Sequence, residues 1–218
     1  MKRLFDFAVS LLVIVLLTPF VLPIIILLLL TGEHYVFYKQ KRVGLCGVEF
    51  FLLKFATMLK DSPNTGTGDV TLQNDPRVLP FGRFLRITKI NELPQILNIC
   101  KGDMSFVGPR PLTPKVFNYY SKESQKIIKE MKPGLTGIGS IIFRDEEAIL
   151  GKTKLTWEDC FSIQIMPYKA ELEKWYYKKR SFGLDFLLIL ITALVVVKPS
   201  TNIVEKLFKD LPTRQFKL

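Results

Sequence analysis

A chain of 218 residues, 48% of them hydrophobic and carrying a formal charge of +11, is long enough for one sizeable domain and does not demand two. It is too apolar for a disordered basic tail and too charged for a polytopic transporter, and its excess of cations suits an anionic surface or anionic ligands. Cys46, Cys100 and Cys160 show no C-x-x-C spacing, and His34 is the only histidine; this argues against a disulfide framework or a structural zinc site and fits reduced, partly buried thiols on a cytoplasmic face.

From Phe7 to Leu30 the sequence holds 24 positions without a charge. As a straight helix they would reach roughly 36 Å, enough to cross a bilayer. A plain spanning anchor is one reading; a signal peptide fits less well, because no small-residue cleavage site follows the run. Thr18, Pro19 and Pro23 interrupt the middle. Each proline lacks an N–H and crowds the carbonyl four residues earlier, so a bend is expected there, with the Thr18 hydroxyl available to a freed carbonyl. Lys2 and Arg3 precede the run and Lys39, Lys41 and Arg42 follow it, so the positive-inside tendency places both ends in the cytosol and favours a re-entrant helical hairpin.

The next segment, Tyr35 to Phe55, carries two β-favouring stretches, YVFYKQ and VEFFLLKF, around two glycines, and predicts a short β-hairpin. Asp61 to Gly68, DSPNTGTG, has the composition of a flexible loop. Farther on, Phe182 to Val197 is a second apolar stretch, broken by Asp185 and Thr192, which lie seven apart and share a helical face. It is short for a span and follows the aromatic and cationic group Trp175 to Arg180, so it is expected to lie in the membrane interface or pack on the domain, with a buried core helix as the alternative. In the tail after Pro199, Ile203, Val204, Leu207, Phe208 and Leu211 are spaced like one face of a short helix.

The densest chemistry lies between Asn74 and Pro111. Six cations (Arg77, Arg83, Arg86, Lys89, Lys101, Arg110) surround three acids (Asp75, Glu92, Asp103), a mixture that fits a solvated face or, more sharply, an anion site with an embedded acid. Asn91-Glu92-Leu93-Pro94 resembles a helix start with Asn91 as N-cap, whose free N–H groups would suit a phosphate, while Glu92 could hold a divalent metal that offsets phosphate repulsion. Equally, Asn91 is only a cap. Gly108-Pro109-Arg110-Pro111 fixes the backbone on both sides of one arginine, giving its guanidinium a stiff support for bidentate phosphate binding. Lys132 to Gly137, KPGLTG, adds a second stiff turn, and Arg144, Asp145, Glu146 and Glu147 another mixed cluster. No nucleic-acid motif accompanies the basic charge, so nucleic acid is not an expected partner.

These residues together resemble the monotopic phosphoglycosyl transferases, or bacterial sugar transferases. The likeness is carried by KRLFDF, the proline-broken apolar helix, LLKFATM, NDPRVLPFGRFLR, NELPQILN, KGDMSFVGPRPL, KPGLTG and the aromatic-basic segment before the last apolar helix, and extends to about residue 198. It implies an α+β, mainly helical chain: a re-entrant membrane helix (1–32) broken at Thr18 and Pro19, a small β-hairpin, and a helical catalytic body (33–198) that includes the interfacial amphipathic helix 182–197, followed by a C-terminal tail (199–218). The implied reaction is Mg²⁺-dependent transfer of a sugar phosphate from a UDP-sugar to polyprenyl (undecaprenyl) phosphate, releasing UMP, at the cytosolic face of the bacterial inner membrane. Lys54, Arg86 and Arg110 match phosphate-binding positions of the family, and Arg144 a basic position near the nucleotide. Membrane lipids are implied partners and downstream glycosyltransferases are possible ones.

The sequence departs from the pattern at the residue that matters most. The family's consecutive Asp-Glu pair, whose aspartate attacks the β-phosphate, falls on Asn91 and Glu92, and an amide is a very poor nucleophile. Ala56 replaces a basic residue, and Glu173 stands where aspartate is frequent. Three readings stay open: a substitution that traps an inactive form, a branch that uses Glu92 or direct transfer between bound substrates, and a non-catalytic relative that binds lipid phosphate or nucleotide-sugar and recruits glycosyltransferases.

Overall fold

The computed structural model describes residues 1–68, 70–72, 74–152, 155–198 and 203–214. The apolar N-terminal run forms one 29-residue helix, α1 (Lys2–Leu30). It continues through Pro19 and Pro23 as a single element, where the sequence suggested two arms of a hairpin, and the Thr18 hydroxyl donates to the Ile14 carbonyl (2.7 Å) within it. That bond is the back-bonding a threonine makes four residues along a helix, whereas the carbonyls the prolines leave without an amide donor are those of Val15 and Pro19.

Both ends of α1 are held by the rest of the chain while its middle is bare. At the start, Arg3 donates to the carbonyls of Ile99 and Cys100 (2.7 Å each), and Asp6 accepts from the Phe106 amide (3.2 Å). Toward the other end, Leu28 is buried with Phe55 and Leu85, and Val21, Ile24 and Ile25 pack on the same cluster. Between them Leu12, Val15, Leu16 and Phe20 are exposed.

The β-hairpin forms as the alternating apolar pattern predicts. β1 (Phe37–Val43) and β2 (Glu49–Phe55) pair antiparallel with Lys54 opposite Tyr38, joined by a short turn in which Cys46 takes a left-handed conformation (φ 56°). Period two puts Phe50, Leu52 and Lys54 on one face. Leu52 is buried there against Ile99 and Met104.

Next come α2 (Pro80–Ile87), a 3₁₀ turn at Ile90–Glu92 and α3 (Gln95–Lys101), closed by Gly102 with φ 102°. Asn91 is therefore not an N-cap. It lies inside the 3₁₀ turn and makes no side-chain cap bond, because Leu93 and Pro94 are already helical and the chain there runs in i to i+3 hydrogen bonds from Lys89 to Leu97. Pro94 has no N–H to give a full α-turn, which accounts for the tighter geometry.

β3 (Ser105–Val107) leads into α4 (Pro114–Phe117) and α5 (Lys122–Lys129), and β4 (Gly134–Thr136) returns parallel to β3. The two proline-glycine turns picked out in the sequence meet here. The Gly108 amide donates to Thr136 O (3.0 Å) and the Gly134 amide to Pro109 O (2.8 Å). A Cβ on Gly108 would lie 2.2 Å from Lys132 O, and one on Gly134 2.1 Å from the Gly108 nitrogen, so only glycine permits this approach.

The remaining elements are α6 (Ile138–Ile142), α7 (Glu146–Lys152), the single turn α8 (Trp157–Asp159), a π-helical stretch at Cys160–Ile165, α9 (Met166–Lys179), α10 (Phe182–Val197) and α11 (Ile203–Leu207). α9 and α10 carry the main core with Ile165, Met166, Leu172, Leu188 and Ile191. α10 has the predicted bounds. Its Asp185 and Thr192 do share the face turned to the body, Thr192 pairing with the Thr136 hydroxyl (2.6 Å), while Phe182, Phe186, Leu190 and Leu194 stay exposed. In the tail, Val204 is buried and Ile203, Phe208 and Leu211 pack on the core, but Leu207 is exposed and leaves the expected face. The other tail positions, 199–202 and 215–218, lie outside the described residues.

Candidate functional site

Lys54, Arg86, Asn91, Glu92, Arg110 and Arg144 line a single open cleft of about 960 Å³. They come from β2, α2, the 3₁₀ turn, the Gly-Pro-Arg-Pro turn and the segment after α6, so the clustering is a product of the fold. Thr18 and Pro19 are not among the lining residues.

The centre of the cleft is a charge group in which Glu92 and Lys54 are half-buried and Arg110 is exposed. Arg110 Nη2 is 3.4 Å from Glu92 Oε1. Burial alone would raise the Glu92 carboxyl, but Arg110, Lys54 and Lys89 hold it down at about 2, so it is ionised throughout the physiological range. Burial pulls the Lys54 ammonium down to about 7; Glu92 resists this, and Arg42, Arg110 and Arg86 add to it. Arg110 is raised above its ordinary value, first by Glu92. One carboxylate thus sits among several cations, and the surplus positive charge is what an oxyanion would neutralise.

Asn91 is 5% exposed, and its side-chain oxygen is buried without a hydrogen-bond partner. A buried amide oxygen left unpaired costs about 1–3 kcal/mol and persists where a site has use for it. Arg86 pairs with Glu147, and Arg144 has no ion pair among the described residues. The mixed cluster after Phe143 therefore works in two directions. Glu147 reaches Arg86 on α2, while its neighbour Glu146 reaches Lys169 on α9 (2.7 Å).

The loop at Asp61–Gly68, expected to be flexible, is organised around a side chain nine residues beyond it. Arg77 is 6% exposed and donates to the carbonyls of Ser62, Thr65, Gly68 and Val70 and to the Thr67 hydroxyl, while its other edge pairs with Asp75 (2.6 Å). The composition of the loop does not disclose this, because the ordering group lies outside it.

Arg42, Lys169 and Ser140 line the cleft without a site expectation from sequence, and Lys89 counts there only as one of six cations between Asn74 and Pro111. Arg42 reaches the Pro111 carbonyl (3.0 Å) beside Arg110, and Lys89 enters the cleft from a left-handed backbone position (φ 60°). Lys169 and Ser140 complete another part of the wall. The strand period does offer a signal for Arg42, which shares the inward face with Tyr38 and Lys54. For Lys89 no local pattern marks the left-handed turn.

The model of the family described as bacterial sugar transferase matches residues 1–199. The chain is 35% identical over 192 residues to an uncharacterized sugar transferase, EpsL, of Bacillus subtilis (strain 168), covering 88% of this chain and 85% of that protein. It is 35% identical to the exopolysaccharide production protein ExoY of Rhizobium meliloti (strain 1021), over 66% of this chain and 70% of that one. A UDP-glucose:undecaprenyl-phosphate glucose-1-phosphate transferase of Xanthomonas campestris pv. campestris is 30% identical over 92% of this chain, which spans only 39% of that longer protein. With a family match of this extent lying over the residues that build the cleft, the chain belongs to the bacterial sugar transferase family.

Proposed function

We propose that this chain transfers a sugar phosphate from a UDP-sugar to polyprenyl (undecaprenyl) phosphate, giving polyprenyl-diphosphate-sugar and UMP, as the first membrane step of bacterial surface-glycan assembly. The observation that carries this is the convergence of Lys54, Arg86, Arg110 and Arg144 around one ionised carboxylate, Glu92, in a cleft roomy enough for a nucleotide-sugar. Arg110 and Lys54 bind the diphosphate and take up charge as the bond from the β-phosphorus to the bridging oxygen breaks. The names of the Xanthomonas relative and of an undecaprenyl-phosphate galactose phosphotransferase of Salmonella typhimurium support the acceptor class.

Mg²⁺ fits the donor set. It favours oxygen ligands and commonly takes only one or two from protein, filling the rest with substrate phosphates and water. The Glu92 carboxylate would hold the ion, with the unpartnered Asn91 oxygen beside it as a second oxygen donor, and the ion would supply charge neutralisation at the diphosphate.

With an amide at residue 91, the covalent aspartyl route has no nucleophile. The reading consistent with the intact cation group is direct transfer: an oxygen of polyprenyl phosphate attacks the β-phosphorus, the α–β bridging bond breaks, and UMP carries away the electron pair. The same amide favours a second reading, a binding relative that holds these ligands without turnover and recruits glycosyltransferases.

The anchoring of both ends of α1 supports a re-entrant disposition at the cytosolic face of the inner membrane. A helix that crossed the bilayer would carry its far end roughly 30 Å from a body lying on one side only. Incubation of the full chain with Mg²⁺, polyprenyl phosphate and a panel of UDP-sugars, reading UMP, tests the transfer. Retained ligand binding without UMP from any donor would replace it by the binding reading.

A further inference from the structure

A second polar group lines the same cleft and takes no part in the anion site. Lys169 on α9 is only 5% exposed, its ammonium paired with Glu146 Oε1 (2.7 Å) and lying over the rings of Phe143 (5.0 Å) and Phe161 (5.7 Å). A buried ammonium is costly unless paired, and Glu146 neutralises it. The Ser140 hydroxyl on α6, also on the cleft wall, is buried with no hydrogen-bond partner. α6 and α9 are pressed together beside it: a Cβ on Gly139 would lie 2.6 Å from Glu173 Oε1. Phe161 lies within the π-helical stretch Cys160–Ile165 that leads into the helix of Lys169, and such wide turns are frequent where a helix serves a site.

Two features indicate what this wall recognises. Glu146 acts electrostatically on Arg110, after Glu92, so the group adjoins the anion site. The Glu146–Lys169 pair is net neutral, so it offers acceptors and donors without adding to the attraction for phosphate. Together with a hydroxyl of unused hydrogen-bonding capacity, it matches a neutral polyhydroxyl group attached directly to a diphosphate. A uracil ring would want an open aromatic face, and both rings beside Lys169 are covered by its ammonium.

We propose that Glu146, Lys169 and Ser140 form the subsite that holds the hexose of the donor and selects among its epimers. This rests on the donor reading above. Lys169 and Ser140 donate to hexose oxygens, and the Glu146 carboxylate accepts from hexose hydroxyls.

Affinities of the full chain in lipid nanodiscs for UDP, UDP-glucose, UDP-galactose and their 2-acetamido counterparts test this, with Ser140→Ala, Glu146→Gln and Lys169→Met as variants. Each variant should leave UDP binding within about twofold; Glu146→Gln and Lys169→Met should weaken the preferred UDP-sugar roughly tenfold, the effect of one lost charge-assisted hydrogen bond, and Ser140→Ala roughly fivefold, the effect of a neutral one, flattening the preference among sugars. Ser140→Ala and Glu146→Gln are near-isosteric and decide the matter if Lys169→Met does not fold. Parallel weakening of UDP and UDP-sugar, or no change in either of the two conservative variants, overturns the hexose subsite while leaving the donor reading intact. Failure of the unaltered chain to bind UDP or any UDP-sugar overturns both.

Discussion

The ammonium of Lys2 lies 2.6 Å from Asp185 Oδ2, across 183 residues of sequence, and Asp185 Oδ1 accepts a hydrogen bond from the buried Tyr176 hydroxyl (2.5 Å). The first turn of α1 is thereby fastened to α9 and α10. Asp185→Asn keeps the volume but removes the charge that both partners use, so it should lower stability by about 1–3 kcal/mol. Thermal unfolding in detergent measures this, and Lys2→Met combined with Asp185→Asn should cost less than the sum of the two. Strict additivity would mean that the pair carries no coupling.

That fastening also bears on topology. Met1 and Lys39 flank α1, and the packing of both helix ends on one body predicts that they face the same side of the membrane. A cysteine inserted after Met1 and one placed at residue 39, in a background with the exposed Cys46 changed to Ser, should label together with an impermeant reagent from one side of the membrane only. Opposite labelling would establish a true span. Pro19→Leu with Pro23→Leu should move the helix toward that outcome by restoring two backbone donors and straightening it.

Lys54 offers a proton count. Its ammonium, pulled down to about 7 from 10.5 chiefly by burial, is only partly charged just above neutral pH. Because the folded state holds fewer protons than the unfolded chain between these values, this group's contribution to stability is least favourable below pH 7 and improves as pH rises toward 10.5. A diphosphate placed beside it pulls the pKa back up. UDP-sugar binding near pH 7.5 should therefore take up a fraction of a proton, seen as a binding enthalpy that changes with the ionisation heat of the buffer, and Lys54→Met should abolish that change. Equal enthalpies in all buffers would remove Lys54 from contact with the diphosphate.

Glu173 gives a stability term of the opposite slope. Burial raises its carboxyl from 4.5 to about 8, with Lys169 on the same helix opposing, and Oε2 has no hydrogen-bond partner. Tyr120 and Tyr176 are the other titratable groups in electrostatic reach. Between these values the folded state keeps a proton that the unfolded chain has lost, so this contribution falls as pH rises from 4.5 through 8. Glu173→Gln mimics the protonated form and should stabilise the protein at pH 8 more than at pH 5. A difference of the same size at both pH values would show that Glu173 is ionised in the fold.

The hairpin, the bounds of α10 and the shared inward face of Asp185 and Thr192 were legible because each rests on a local period of two or 3.6 residues. The six candidate site residues came together through the family resemblance, which singled out Lys54, Arg86 and Arg144 where no local pattern did, and the fold brings all six to one cleft. What local pattern could not supply was the partner across the chain. Arg77 orders a loop that reads as flexible, and Asn91, a strong N-cap residue, lies inside a 3₁₀ turn because Pro94 follows it. Lys169 and Glu173 are the instructive pair. Spaced i to i+4, they look like a solvated helical ion pair, yet they continue the buried stripe of Ile165, Leu172 and Tyr176. Weighing that stripe over the charges would have marked them as buried and therefore functional candidates.

Asn91 is the position where a single change separates the readings of activity. Its side chain is buried in the cleft wall next to Glu92, and its oxygen has no hydrogen-bond partner, so an aspartate fits the same volume. With Arg110, Lys54 and Lys89 holding Glu92 down, a carboxylate at the adjacent residue would meet the same cations, stay ionised at neutral pH and be available as a nucleophile. Asn91→Asp should then create or raise Mg²⁺-dependent UMP release, and a phosphosugar adduct should be trapped on residue 91 and located by mass spectrometry. If direct transfer already operates, the unaltered chain releases UMP without any adduct, and Glu92→Gln abolishes release by removing the carboxylate that offsets the cation cluster. UMP from Asn91→Asp without an adduct at residue 91 would place the new carboxylate outside the covalent route. No UMP from either chain, with both still binding UDP-sugar and polyprenyl phosphate, would leave the cleft as a binding site.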